Sequence, residues 1–273
     1  KLGVHPNAIT ILSIFLGVGA GWMFHYDDFM SNVWGVVLLM FANFCDSTDG
    51  QLARLTGKKT LVGRVLDGFS GDVWFFAIYL AIVVRLWNEP IPFIEGEKWD
   101  IFIFLICLYA GVFSHSPQSS LADYYRQIHL YFLLGKKGSE LDDSASQMKK
   151  YEELTWTGNF IGKLFYKNYA AYCRSQEKRT PQFQKFYKQV RERYADAEQI
   201  PQELRDEFRK GSLPLMKYTN LLTFNSRAII IYITCLAGVP YTYPIMELTV
   251  YWAMYAYMHR KHEELCGKLG VKN

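Results

Sequence analysis

The chain has 273 residues, half of them hydrophobic, with 30 Lys and Arg against 26 Asp and Glu and a formal net charge of +4. This balance suits a large soluble domain or a small polytopic membrane protein. Five scattered cysteines (Cys45, Cys107, Cys173, Cys235, Cys266) show no C-x-x-C spacing and three lie in apolar runs, so the thiols read as reduced, with support for neither a zinc site nor a disulfide framework.

The mean hydropathy of -0.03 looks too polar for a membrane protein until the charges are located. They cluster in a long middle segment and leave long apolar runs elsewhere. A bilayer core of about 30 Å takes roughly 20 helical residues at about 1.5 Å each, and six runs qualify. The chain opens Lys-Leu-Gly rather than Met, and no small-residue cleavage pattern follows the first run, which therefore reads as a span and not as a signal peptide. That run covers 7–24, after Pro6, a residue suited to a helix start. The second, 31–55, runs through an Asp-rich stretch, and the third covers 63–87. A Pro-broken acidic stretch, NEPIPFIEGEKWD, leads to the fourth, 99–124. A polar segment follows, and then the last two runs, 218–237 and 243–259.

Charge placement orients the runs, because cytoplasmic loops collect Lys and Arg. Arg54, Lys58, Lys59 and Arg64 lie between spans two and three, and the polar segment and the tail from Arg260 are also basic. Asp27 and Asp28, then Glu89, Glu95, Glu97 and Asp100, fall on the opposite side. The expectation is an all-α integral membrane six-helix bundle with both termini cytoplasmic, divided as 1–125, a cytosolic and mostly helical insert at 126–216, and 217–273. Within the insert, PQFQKFYKQVRERYADAEQ starts a helix after Thr180. The insert's Tyr151, Trp156, Phe160, Phe165, Tyr166 and Tyr169, mixed with Lys, either rest on the lipid interface or pack against the protein's own cytosolic face, the general expectation for such helix faces. No internal repeat is visible.

The stretch CDSTDGQLARLTGKKTLVGRVLDGFSGD, 45–72, places four carboxylates at the ends of two otherwise apolar helices. An ionised carboxylate there costs on the order of a few kcal/mol unless a cation or water meets it, and a divalent metal is the natural compensator. Asp46 and Asp49, three apart, share one helix face, and Asp67 begins a second helix that can face them. Such a cluster suits Mg²⁺ or Mn²⁺. Gly50, Ala53 and Gly63 remove bulk where a flat base needs close approach, while Arg54, Lys58, Lys59 and Arg64 offer charge to a diphosphate. Helix packing in lipid and the cytoplasmic bias of basic residues would explain those glycines and cations equally, but not the aspartates.

The run resembles the signature of the CDP-alcohol phosphotransferase family, D-x2-D-G-x2-A-R-x8-G-x3-D-x3-D, with Asp46, Asp49, Gly50, Ala53, Arg54, Gly63 and Asp67 matching in spacing. The HPNAIT opening is similar to the family's Pro-Asn-x-x-Thr start and brings in Asn7. The resemblance implies a membrane enzyme of lipid biosynthesis that passes a substituted phosphate from a CDP-linked donor to an alcohol and releases CMP. It implies metal on Asp46, Asp49, Asp67 and Asp72, nucleotide and phosphate contacts from Asn7, Asp49, Gly50, Ala53, Arg54, Lys58 and Gly63, and Asp72 as the base for the acceptor hydroxyl. A homodimer at the bacterial inner membrane, with its active site on the cytoplasmic face and no nucleic-acid partner, is also expected.

One position departs from the signature. Its last aspartate falls at Gly71, and the carboxylate stands one residue later, at Asp72. On a regular helix that shift turns the side chain by about 100°, which a π-bulge near Gly68 and Gly71 would correct. On the acceptor side, His115, Ser119 and Arg126 recur at near-helical spacing close to Asp123, and Asn220, Thr223 and Arg227 share a face. His115 is expected to be a satisfied core histidine. Arg126 and Arg227 are candidates for an anionic acceptor, with a buried ion pair of Arg227 to Asp123 or Glu247 as the other arrangement. They favour CDP-diacylglycerol as donor with a polar acceptor over a soluble CDP-alcohol with a lipid acceptor. A prenyltransferase would show two separated Asp-rich motifs, a transporter would show repeat symmetry, and a catalytically altered scaffold would follow if Asp72 were displaced.

Overall fold

The computed structural model describes residues 5–57, 61–92, 94–194 and 196–272, with the side chains at 61, 62, 64, 65, 67, 271 and 272 outside that description. It is helical, and no strand occurs among the described residues beyond one isolated bridge, Pro90 to Lys98. The elements are α1 (Pro6–Phe24), α2 (Phe29–Thr56), α3 (Leu61–Leu86), α4 (Asp100–Leu108), α5 (Ser116–Leu134), α6 (Ser144–Glu153), α7 (Trp156–Arg179), α8 (Pro181–Arg193), α9 (Gln202–Ser212), α10 (Met216–Leu221), α11 (Phe224–Leu236), α12 (Thr242–Met246) and α13 (Trp252–Lys272). A π-helical turn, Tyr109–His115, joins α4 to α5 without a break, and a second, Glu247–Tyr251, joins α12 to α13.

Among the described residues, four helical runs are long and apolar enough to cross a membrane: Pro6–Phe24, Phe29–Thr56, Gly68–Leu86 and Asp100–Leu134. They carry the first four expected spans, the fourth continuing beyond 124 to Leu134. The fifth expected span is interrupted at Leu222 and Thr223, leaving α11 with 13 residues, and the sixth falls on α12, the second π-turn and the start of α13. Local chemistry sets the ends. Pro6 opens α1 while His5 Nδ1 accepts the Asn7 N–H at 3.2 Å. Asp28 caps α2 through the Ser31 N–H at 2.8 Å, and Gly57, at φ +67°, stops it in the left-handed region that glycine adopts without strain.

The described chain divides into two compact units, 1–116 with 224–249, and 117–223 with 250–273. In the first, α1 packs along α2 and α3 through its glycines. A Cβ at Gly17 would overlap the Trp74 ring, and one at Gly21 would stand 2.9 Å from the Ala77 backbone. This G-x3-G spacing is the small-residue seam that lets helices approach closely in lipid. Gly35 does the same on α2, where a Cβ would lie 2.6 Å from Phe24. Phe24, Leu39, Trp74, Ile78, Ile103 and Ile231 are buried in this core, whereas Phe15 (71% exposed) and Phe76 (69%) point outward on helices of spanning length, as lipid-facing side chains do.

The second unit is an aromatic core. The Phe132 ring stacks on Phe208 at 4.1 Å and on Phe186 at 5.6 Å, and Tyr125 stacks on His262 at 3.9 Å. Burial keeps the His262 imidazole neutral, its pKa pushed down to about 3.

The seam makes a stability prediction. Gly17→Val forces overpacking against Trp74, at a cost of roughly 1–3 kcal/mol or more, and lowers the Tm in detergent. Gly19→Ala, whose Cβ would meet Leu38 at an ordinary 3.6 Å, leaves the Tm within about 2 °C of wild type.

Candidate metal and nucleotide site

α2 presents Asp46 and Asp49 on one face, a turn from Gly50 and Ala53, and each carboxylate is held by a hydroxyl from another helix. Asp49 is 3% exposed and accepts a short hydrogen bond from Thr10 Oγ1 of α1. Half-buried Asp46 accepts from Ser70 Oγ of α3 at 2.7 Å. Two hydroxyl–carboxylate bonds therefore tie α1 and α3 to the acidic face of α2. Among the described residues no basic side chain pairs with Asp49, although α2 is of spanning length. Sequence reasoning missed Thr10 and Ser70 as site residues. The Thr of the Pro-Asn-x-x-Thr start was the available signal for Thr10; Ser70 had none.

Asp67 lies in helical α3, with its side chain outside the described part, and Lys58 lies outside the described residues. Arg54 is exposed at the end of α2, Asn7 is half-buried in the first turn of α1, and Gly63 is half-buried on α3. Space around the motif glycines differs from that in the α1 seam. A Cβ at Gly68 or Gly71 would meet nothing within 4 Å, and one at Gly50 would meet Arg54 Nη1 at 3.7 Å. These three glycines border open space and do not serve helix contact.

No cluster of three or more His, Cys, Asp or Glu positioned to hold a metal occurs among the described residues. Asp46 and Asp49 supply two hard carboxylates, and the fit to Mg²⁺ or Mn²⁺ rests on their oxygen chemistry.

Asp72 is placed differently from the expected bulge. α3 is continuous α-helix from Leu61 to Leu86, so the five-residue step from Asp67 turns about 140° around the axis. Asp72 heads the α3 stripe Phe75, Phe76, Tyr79, Leu80 and Val83, which forms one wall of a cavity of about 370 Å³. The other wall runs from Phe104 to Ser116 and includes His115. His115 is not satisfied as expected: its Nδ1 is buried without a hydrogen-bond partner among the described residues, and its ring sits edge-on to Phe75 at 4.1 Å. An apolar groove with a carboxylate and an orphaned imidazole nitrogen on its walls suits a long hydrocarbon chain with a polar head.

The π-turns occur where α4 and α12 end. Ser114 Oγ in the first donates to the Glu247 carbonyl in the second at 3.0 Å. Of the two arrangements expected for Arg227, the structure shows the ion pair: Nη2 lies 2.9 Å from Glu247, and both side chains are fully buried. Arg126 pairs with Asp123 at 2.8 Å, with both side chains close to half exposed.

Two predictions follow from this geometry. Removing one member of the buried pair strands the other charge, so Arg227→Met or Glu247→Leu alone costs about 3–5 kcal/mol while the double variant recovers most of it, as read by denaturation in detergent. Thr10→Val strands the buried Asp49 acceptor and costs about 1–3 kcal/mol, whereas Thr10→Ser keeps the donor and most of the stability, by the same measurement.

Residues 3–123 match the family model described as CDP-alcohol phosphatidyltransferase. The chain is 29% identical over 119 residues to archaetidylinositol phosphate synthase of Pyrococcus horikoshii, an alignment covering 42% of this chain and 55% of the relative. It is 38% identical over 82 residues to an uncharacterized protein of Aquifex aeolicus, covering 29% and 40%. The chain thus spans about half the length of the curated relatives it matches. No solved structure matches it significantly. The helices that bring Asp46, Asp49 and Asp72 to their places lie inside the matched segment, so the likeness to the CDP-alcohol phosphatidyltransferase family model falls on the part of the chain that builds this site.

Proposed function

We propose that the protein is a membrane-embedded transferase of lipid biosynthesis that moves a substituted phosphate from a CDP-linked donor, CDP-diacylglycerol in the favoured reading, to an alcohol and releases CMP. The observation that carries this reading is buried Asp49, held by a hydroxyl with no described basic partner on a helix of spanning length, inside the matched D-x2-D-G-x2-A-R motif. Asp46, Asp49 and Asp67 would hold Mg²⁺ or Mn²⁺, while Asp72, which the regular α3 turns into the groove, is left for the acceptor. Bound there, the metal supplies charge neutralisation to the donor diphosphate.

The chain's own residues do the rest. Thr10 and Ser70 fix the carboxylate orientations. Gly50, Ala53 and Gly63 leave room for the base, Arg54 and Lys58 meet the diphosphate, and Asn7 lies at the start of α1 on the nucleotide side. Asp72 takes the proton of the acceptor hydroxyl. Arg126 is the cation proposed for a phosphorylated acceptor, while the charge of Arg227 is met by Glu247. The proposal extends to a six-helix bundle with both termini and the 126–216 insert in the cytoplasm, active as a homodimer in a bacterial inner membrane.

The groove beside Asp72 supports a lipid substrate. It also favours a second reading, in which a lipid alcohol is the acceptor and phosphoethanolamine or phosphocholine comes from a soluble CDP-alcohol, because the chain in the groove would then bring its hydroxyl to Asp72.

Purified protein in detergent, given CDP-diacylglycerol or CDP-ethanolamine with a panel of acceptors, is expected to release CMP with Mg²⁺ or Mn²⁺ and to stop with EDTA. Asp49→Asn lowers that rate about 100-fold or more. Val112→Trp, in the groove wall, raises KM for whichever substrate carries the chain. Release that persists in EDTA, or none from either donor with any acceptor, contradicts the proposal.

A further inference from the structure

Helices α6 and α7 of the second unit pack together as a hairpin whose tip keeps large apolar side chains on the outside. The chain leaves α6 at Leu154, enters α7 after Thr155, and departs at once from helical geometry at Thr157, Gly158 and Asn159, with Gly158 at φ +90°. Beneath this break Lys163 is buried. Its Nζ donates to the carbonyls of Tyr151 (3.2 Å) and Leu154 (2.6 Å), which closes the end of α6. The same ammonium lies 4.2 Å from the Tyr151 ring centre and 5.6 Å from that of Trp156. Trp156 meets Phe160 at 5.7 Å, so the tip is a fixed platform.

The outer surface of that platform is uncovered: Trp156, Phe160, Ile161 and Leu164 are 48, 60, 54 and 42% exposed. Further along the same helix the aromatics behave otherwise, since Phe165 lies 5.3 Å from Tyr166 and stacks on Tyr169 at 5.4 Å, all three half-buried. Ring-to-ring burial along this helix therefore covers 165–169 and is missing at the tip. A cluster of outward apolar side chains on a polar helical unit marks a binding surface.

Three observations choose the occupant. Among its described residues the chain has four helices fit to cross a bilayer, so a lipid surface is at hand. Trp settles at the headgroup boundary with its ring in the apolar edge, and the exposed Lys149, Lys150 and Lys167 of the same hairpin supply ammoniums for phosphates. Residues 149–179 carry seven Lys and Arg against Glu152, Glu153 and Glu177, a net of +4 equal to that of the whole chain. A second copy docking through the same patch would bring two basic surfaces together. We propose that the α6–α7 tip, through Trp156, Phe160, Ile161 and Leu164, inserts into the interfacial layer of an anionic bilayer and anchors this unit to it. The anchor is independent of the transfer reaction.

Spin labels report it in the full chain. Phe160→Cys and Leu164→Cys are labelled separately in nanodiscs of phosphatidylcholine with phosphatidylglycerol. Lys188→Cys, at an exposed position on α8, serves as the aqueous control, and unmutated protein gives the background from native cysteines. At 160 and 164, collision with oxygen is expected to exceed that at 188 several-fold and collision with a water-soluble nickel chelate to fall several-fold. The oxygen excess is expected to shrink in phosphatidylcholine alone. High nickel access at both sites would place the tip in water, low access to both reagents would place it against protein, and either result overturns the anchor. An oxygen excess unchanged in neutral lipid overturns its anionic preference.

Discussion

Keeping carboxylates ionised within a helix of spanning length is the constraint around which this protein is arranged. Each such charge costs on the order of a few kcal/mol where neither water nor a counter-charge reaches it. The fold answers by bringing hydroxyls from two other helices onto α2, Thr10 to Asp49 and Ser70 to Asp46. Hydroxyl donors orient a carboxylate without neutralising it. The side chains stay acceptors and keep the negative charge that a divalent cation would need.

That arrangement depends on close helix approach. Thr10 reaches Asp49 because α1 lies tightly along its neighbours: Gly35 of α2 leaves room for Phe24 of α1, as Gly17 and Gly21 of α1 leave room for Trp74 and Ala77 of α3. A few residues away, Gly68 and Gly71 border space, and Gly50 meets the Arg54 guanidinium only at ordinary contact distance. The two glycine groups separate packing from site. One removes bulk for a neighbouring helix, and the other leaves it absent where a nucleotide is proposed to sit.

The first four spans and the aspartate pair on α2 were legible because each rests on local pattern, either apolar length or a three-residue helical step. The weaker parts share one cause, dependence on partners distant in sequence. Whether Arg227 meets a ligand or Glu247 turns on a contact twenty residues away made through a π-turn that no periodicity marks. The place of Asp72 likewise depended on whether α3 bulges. It stays regular, and the carboxylate turns to the groove it shares with His115. The expected π-geometry lies instead at Tyr109–His115 and Glu247–Tyr251. The insert's aromatics divided in the same way, since only tertiary packing distinguishes Tyr169 from Phe160.

In the proposed function the α2 carboxylates hold a divalent cation together with a cytidine nucleotide. Titration of Mn²⁺ into the purified protein, followed by the loss of its free-ion paramagnetic resonance signal with and without CMP, tests this apart from turnover. The expected result is a bound ion whose affinity rises with CMP and is lost in folded Asp46→Asn and Asp49→Asn variants. Equal Mn²⁺ binding by wild type and both variants would contradict it.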